Sequence, residues 1–518
     1  MVVPNGAAES DPEGAPMTET PTNEAFPPLH ATVEQQFRAV GAIVGSAVGD
    51  ALGAPFEFGS AGDYSRRFPR PVLDGNGEMI GGGGFNWAAG EFTDDTQMAL
   101  ALAESLLEKR DFDADDLWTR FRAWAYDAND IGINTRKVLS HASHVGAAEK
   151  GHHATGGRSA SNGCVMRIAP VGVLGVTLGQ QATIEIAAKQ AALTHFDPAA
   201  AAGAAIVAEI IRRVIITGVF HGVAEKVVVD LSHHATLGAA VQKYAPLVSI
   251  DFDPHTHVGP GNGSVWTTVA QAVWAVRTTS SFEDAMVAVI NLGGDTDTVA
   301  AVTGAIAGAL YGMQRIPVRW ATYVHGFVRQ ADGERKEYRT QDLIDVGRRL
   351  FGRSASHVTP PEAPQGPRLV DPVGVHAANV DGAARAPRDH AIVTMCIPEQ
   401  RFLKHPARRT VFMRDEEGDA NADLFFVVRD AVEAIEAFLR NGQEVVVHCH
   451  GGRSRTGLVL KAWYMAHHGV DHQTAHDWLE GEWDLYATYN RTFLEFLDNE
   501  WTTHLQTHGS TRKDHQHK

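Results

Sequence analysis

The chain has 518 residues, more than one hydrophobic core accommodates, so about two to four domains are expected. Lys plus Arg number 45 and Asp plus Glu 62, and the net charge of −17 argues against a general nucleic-acid binder, which needs a basic footprint. Hydrophobic residues at 44% are ordinary for a soluble globular protein, and 51 glycines exceed the usual share of about 7%, which points to close backbone approaches or to linkers.

Cys164, Cys396 and Cys449 are too few for a disulfide framework or a Cys-rich zinc site, and they suit a reducing compartment. Met1 to Pro28 lacks the basic start and apolar stretch of a signal peptide. No uninterrupted apolar run reaches the length of a membrane span. A cytoplasmic protein without membrane attachment is expected.

Residues 1–33 are rich in Pro, Glu, Ala and Thr and bury too little to offset ordering entropy, so disorder is expected there. From Val33, the residues Phe37, Val40, Ile43, Val44, Ala47 and Val48 recur at helical spacing. Gly41, Gly45 and Gly49 add a small-residue face on which another helix can approach closely. Ala-rich helices over 100–107, 184–192, 199–216 and 299–310 carry an all-α texture to about residue 352. Residues 74–84 and 251–263 read as Gly/Pro-rich loops. Pro360, Pro361, Pro364, Pro367 and Pro372 mark 353–385 as a linker. A smaller α/β domain follows over 386–503, with buried strands at 391–396 and 444–448 and helices over 423–439 and 457–467. Residues 504–518 read as a polar, His-rich, solvated tail.

Two acidic loops in the helical domain carry chemistry. Thr93-Asp94-Asp95-Thr96 precedes one helix, and Gly293-Gly294-Asp295-Thr296-Asp297-Thr298 precedes another. N-capping explains one such side chain at a helix start. Two carboxylates and two hydroxyls per loop exceed that need. Four Asp converging on one place would repel unless a cation lay among them, and an all-oxygen set suits Mg²⁺, Mn²⁺ or Ca²⁺.

These loops stand in a longer series. Gly49-Asp50-Ala51-Leu52-Gly53-Ala54-Pro55-Phe56-Glu57-Phe58, Gly90-Glu91-Phe92-Thr93-Asp94-Asp95-Thr96, Asp130-Ile131-Gly132, Ser161-Asn162-Gly163 with Met166-Arg167, Thr194-His195 and the 293–298 loop occur in this order. The series resembles the ADP-ribosylglycohydrolases, the family of the dinitrogenase-reductase-activating glycohydrolase, over about 34–352. The resemblance implies an all-α fold, two Mg²⁺ or Mn²⁺ ions, and cleavage of a glycosidic bond at the anomeric carbon of ADP-ribose, with an ADP-ribosylated protein side chain, Arg above all, as substrate. Carried over by motif, Thr93, Asp94, Asp95, Asp295, Asp297 and Thr298 are the metal ligands. Glu57 and Asp130 sit at the reacting ribose as acid and base in unassigned order, Asn162, Gly293 and Gly294 approach the diphosphate, and His195 lines the cleft. Asp50 is read as structural. Ile133 departs from the family's polar residue at its position and leaves local substrate contacts open.

In the second domain, a strand leads into His448-Cys449-His450-Gly451-Gly452-Arg453-Ser454-Arg455-Thr456-Gly457 and then a helix. Such a loop turns successive N–H groups toward a phosphate, with Cys449 at its centre as the nucleophile. Arg455 can grip phosphate oxygens bidentately, Thr456 can bond the sulfur, and Gly452 spares the turn a Cβ. The segment resembles the cysteine-based protein-tyrosine and dual-specificity phosphatases over about 386–503, which implies a central parallel sheet and a general-acid Asp some thirty residues before the Cys. Asp415 is the choice, with Asp419 the fallback.

The reading is a two-domain hydrolase, removing ADP-ribose from a protein and dephosphorylating a phosphoprotein or small phosphomonoester. Two alternatives stay open: a phosphatase-like module that only binds phosphorylated partners, and a helical domain that is a non-enzymatic structural member of its family.

Overall fold

The computed structural model describes residues 32–508 apart from 73–75, 258–260, 322, 353–365, 397–404, 406, 412, 416 and 422–423. The segment before Thr32, the linker up to residue 365 and the tail from 509 lie outside the described residues.

The first helix, Val33–Gly53, opens with a capping box in which the Thr32 hydroxyl accepts from Gln35 N and the Gln35 side chain accepts from Thr32 N. It runs antiparallel to the helix Thr296–Tyr311, and glycine decides how closely. A Cβ on Gly45 would lie 2.4 Å from Gly304 O, one on Gly304 2.0 Å from Gly45 O, and one on Gly49 2.1 Å from Ala300 O. Along this seam, a side chain at each of these glycines would collide with the backbone of the facing helix. The seam therefore brings the C-terminal end of the first helix, with Asp50 and Gly53, against the acidic start of the other. A Cβ on Gly53 would lie 2.4 Å from Thr296 O, and Thr296 Oγ1 donates to Gly53 O at 2.8 Å.

Among the described residues one helical stretch, Glu34–Phe56, is long and apolar enough to cross a membrane. Its most apolar 18 residues are 94% buried inside the protein and form the centre of the helical core.

The helical domain is not wholly α. A hairpin of β1 (His325–Arg329) and β2 (Arg335–Arg339) precedes its last helix, Thr340–Leu350. The charged run Arg335-Lys336-Glu337 hides this hairpin from a hydrophobic-pattern reading. Only Val328 and Tyr338 anchor it deeply in the core.

The second domain is built on a sheet of order β3-β4-β7-β5-β6. These are Arg368–Asp371, Val375–Ala378, Val445–His448, Ala391–Thr394 and Arg408–Thr410. All neighbours run parallel except β3 on β4, so the sheet is mixed at one edge. The linker expected over 353–385 is corrected here. Residues 368–383 form β3, β4 and a helical turn, Val380–Ala383, and Pro367 and Pro372 punctuate strands instead of extending a spacer. One sheet face packs on the helices Leu424–Arg440 and Ser454–His468 through Val375, Ala377, Val393, Val445 and Val447. The other face holds a small cluster of Ala378, Val380, Ala383, Ile392 and Val446. The tail expected from 504 is likewise corrected: residues 504–508 belong to a terminal helix, Thr502–His508, because the His504 ring packs on Phe425 at 5.0 Å and on Trp501 at 5.2 Å.

The two domains touch through charge. Arg414 Nη1 donates to Glu34 Oε1 at 2.8 Å, and its guanidinium lies 5.4 Å from the Phe37 ring. Arg409 lies 6.0 Å from the ring of Tyr323. Asp430 is buried with neither oxygen hydrogen-bonded among the described residues, and Arg409 and Arg319, from opposite domains, oppose the rise in its pKa that burial causes.

Candidate active sites

The glycine seam delivers the acidic loops to one place, and Asp50 holds them there. Its carboxylate accepts from Thr93 N at 2.9 Å, Thr96 N at 3.0 Å and Thr96 Oγ1 at 2.5 Å. That makes Asp50 the anchor of the Thr93–Thr96 turn, the structural role expected for it. Thr93 caps the helix Asp94–Lys109, and its hydroxyl donates to Asp95 Oδ2 at 3.0 Å. Thr298 Oγ1 donates to the same oxygen at 3.4 Å from the far side of the cleft. The two loops thus meet at Asp95.

Glu57, Asp130 and Asp297 also converge, each offering an oxygen within 4.8 Å of the others. Their burial, with the charges of neighbouring carboxylates, raises every pKa in the cluster: Glu57 to about 8, Asp130 to about 6, and Asp94, Asp95 and Asp297 well above the usual carboxylate range. Asp50, raised to about 6 chiefly by burial, is restrained by its hydrogen bonds. Glu57 Oε2 and Asp95 Oδ1 are buried without a hydrogen-bond partner among the described residues. Converging carboxylates, orphaned oxygens and hydroxyl ligands are the donor set of a hard cation, so the residues fit a divalent ion of that class.

Asn162 joins the same cleft. Its amide donates to Asp295 Oδ2 at 3.0 Å, Thr268 Oγ1 at 3.1 Å and Asn262 O at 3.1 Å. Asn262 is a residue the sequence reading passed over as part of a loop. Its Oδ1 accepts from Asp295 N at 3.0 Å and its Nδ2 donates to Gly293 O at 2.7 Å, so it orients the second acidic loop. The flanking Gly261 and Gly263 are the signal that could have found it.

Gly293 and Gly294 have φ of 74° and 78°, and their close approaches are to the protein itself. A Cβ on Gly293 would lie 2.9 Å from Ala61 N, and one on Gly294 2.5 Å from Asn262 Oδ1. His195, expected to line the cleft, lies beneath it. It is 1% exposed, with Nε2 2.9 Å from Ser161 Oγ and Nδ1 2.8 Å from Thr194 Oγ1. Burial lowers its pKa to about 3, so it is a neutral strut under the Ser161–Asn162–Gly163 turn. Arg167 is likewise hydrogen-bonded to Gln190 and Thr194 and makes no ion pair with a site carboxylate among the described residues. Ile133 is 75% exposed at the start of the helix Ile133–Leu139.

In the second domain, β7 ends at His448 and the helix Ser454–His468 begins five residues after Cys449. The loop between is held on three sides. Val380 N donates to His450 O at 3.1 Å, Trp483 Nε1 to Gly452 O at 2.6 Å, and Gly452, at φ 69°, lies where a Cβ would meet Ala378 O at 2.8 Å. Cys449 is 1% exposed. His448, neutralised by burial with a pKa of about 4, has Nε2 2.8 Å from Thr394 Oγ1 on β5. Thr456 Oγ1 is buried without a partner among the described residues, which leaves it available to a sulfur. Arg455 donates through Nη1 to Met395 O and Met413 O, each at 3.2 Å, and its Nε lies 3.7 Å from Asp415 Oδ2. Asp415 also accepts from Tyr489 OH at 2.7 Å. The structure thus brings Asp415 to the loop's arginine. Asp419 falls on the turn Gly418–Asn421, and its side chain lies outside the described residues.

The family model for ADP-ribosylglycohydrolase matches residues 31–357, and that for the dual specificity phosphatase catalytic domain matches 389–493. The chain is 34% identical over 292 residues to an ADP-ribosylarginine hydrolase Tri1 of Serratia proteamaculans, covering 55% of this chain and 74% of that protein. It is 30% identical over 285 residues to the ADP-ribosyl-[dinitrogen reductase] glycohydrolase of Rhodospirillum rubrum, covering 55% and 88%. An ADP-ribosylhydrolase ARH3 of Bos taurus is 26% identical over 328 residues, covering 55% and 88%. With the acidic cleft and the cysteine loop both assembled, the chain belongs to the ADP-ribosylglycohydrolase family and joins that hydrolase to a dual-specificity phosphatase domain.

Proposed function

We propose that the first domain frees arginine side chains of proteins from ADP-ribose in a metal-dependent reaction, and that the second hydrolyses phosphoprotein monoesters through Cys449. The observation that carries the first part is the convergence of Glu57, Asp130 and Asp297 at the mouth of the glycine seam. The matched relative described as an ADP-ribosylarginine hydrolase supports the linkage.

Thr93, Asp94, Asp95, Asp295, Asp297 and Thr298 would hold Mg²⁺ or Mn²⁺. A cation bound there supplies orientation of ribose hydroxyls and acidification of water. Glu57 and Asp130 serve as the acid–base pair: one protonates the departing guanidine nitrogen and the other takes a proton from the attacking water. Asn162 and Asn262 keep Asp295 in place.

In the second domain the Cys449 sulfur attacks phosphorus, forming an S–P bond as the P–O bond to the leaving group breaks. Asp415 gives its proton to that oxygen. Water then cleaves the S–P bond, giving phosphate and restoring the thiolate, with Thr456 donating to the departing sulfur. Arg455 exchanges its carbonyl partners for phosphate oxygens.

The test is release of free ADP-ribose from arginine-linked and serine-linked peptides with and without Mg²⁺, using intact protein and Asp297→Ala. The expected result is cation-dependent release from the arginine linkage, abolished by the substitution. Release only from another linkage, or release indifferent to cation, rejects this reading. For the second domain, Cys449→Ser retaining full phosphatase turnover rejects the covalent route.

A further inference from the structure

A third cluster lies on neither active site. His376 is on β4, His390 immediately precedes β5, and Glu444 immediately precedes β7. The sheet order places β7 between β4 and β5. Val446 pairs with both His376 and Ile392, and side chains alternate faces along a strand. Glu444 and His390 each stand two residues before a member of that row. All three side chains therefore share one face, the face with the small Ile392 and Val446 cluster and not the main core.

Their donor atoms meet. His376 Nε2 lies 2.5 Å and His390 Nε2 3.2 Å from the same Glu444 Oε2, and one donor atom from each of the three falls within 4.8 Å of the others. The imidazoles are largely covered at 13% and 15% exposure, whereas Glu444 is 51% exposed, so one side is open to water. On the far side of its ring, His390 Nδ1 lies 3.3 Å from Asp389 Oδ1, a side chain that is 87% exposed. A carboxylate on the far nitrogen is the outer contact that fixes the tautomer of a metal-binding histidine. One carboxylate oxygen can accept from both rings, so the hydrogen bonds alone do not call for an ion. The convergence of two imidazole nitrogens from separate strands and one carboxylate on a partly open point is the donor set that fits one.

We propose that His376, His390 and Glu444 form a transition-metal site of the zinc class, with water completing the shell, that staples β4, β7 and β5. Two imidazoles and one carboxylate suit Zn²⁺ and disfavour Mg²⁺, so the site is chemically distinct from the all-oxygen cleft of the first domain. It lies at the opposite end of β7 from Cys449, roughly 16 Å away at about 3.3 Å per residue. Its role is to stiffen the thinly covered sheet face whose central strand carries the cysteine loop.

The test uses full-length Cys449→Ser protein, which removes the active thiol, in excess Mg²⁺, titrated calorimetrically with Zn²⁺. Beside it run the same protein with His376→Gln and with Glu444→Gln. One equivalent of Zn²⁺ is expected, weakened about tenfold or more by each substitution, with a zinc-induced rise in Tm that both variants lose. Unchanged affinity in both variants, or no equivalent tighter than millimolar in the parent, overturns the proposal. Should the variants fail to fold, diethyl pyrocarbonate labelling of the parent decides. Zinc must protect His376 and His390 in peptide mass spectra, and equal labelling with and without zinc overturns the proposal.

Discussion

Single residues in the acidic cleft carry opposing demands. Burial and like charge hold Glu57 near pKa 8 and Asp130 near 6, above the values of about 4 they have in an unfolded chain. Between those limits the folded protein binds more protons than the unfolded one, so stability conferred by these groups is full below about pH 4 and is lost as pH rises toward 8. A bound cation removes the conflict. The expected outcome is that Mg²⁺ or Mn²⁺ raises the Tm more at pH 8 than at pH 5, read by calorimetry, and that Asp297→Asn flattens this difference. In the second domain, Asp415→Asn is expected to lower phosphatase kcat roughly 10²-fold with little change in KM. Steady-state kinetics check it, and an Asp419→Asn protein that loses activity while Asp415→Asn keeps it would transfer the acid's role.

At the scale of elements, the glycine seam positions the first site. Gly304→Ala places a methyl 2.0 Å from Gly45 O on the facing helix, where backbone and not a flexible side chain must move. Destabilisation of about 3 kcal/mol is expected, measured by urea unfolding. ADP-ribose release should fall with it, since the seam sets Glu57 against Asp297, and phosphatase turnover should hold. The small-residue face of the first helix was legible in the sequence because helical periodicity is local. The hairpin β1–β2 and the strands β3 and β4 were not. Their residues are charged or proline-flanked, and only pairing with a partner strand reveals them. His195 shows the same limit, since a motif places a residue near a site without saying on which side of the loop its ring lies.

Across the whole molecule, the two catalytic domains share a charged interface. Asp430 lies buried between the charges of Arg409 from its own domain and Arg319 from the other, and Arg319 is in turn held by Glu78 at 3.1 Å. Removing Asp430 takes away an acidic group whose field reaches arginines of both domains. Asp430→Ala is expected to lower stability by about 3 kcal/mol and to split one calorimetric transition into two. A single unchanged transition would show that the interface does not couple the domains. Glu34 is 56% exposed, so its pairing with Arg414 adds little to stability, and its effect lies in tethering the residue beside Asp415.

The contiguous loops were legible because their chemistry is local. Two carboxylates with hydroxyls at a helix start, or a cysteine between strand and helix with an arginine six residues on, announce what they can bind. What they meet was not legible. Asn162 reaches Asp295 across 133 residues, Thr298 reaches Asp95 across 203, and His376 reaches Glu444 across 68. Those partnerships follow from a glycine seam and a sheet register, properties of packed elements. Residue types set the available reactions, and the fold selects which of them stand close enough to react.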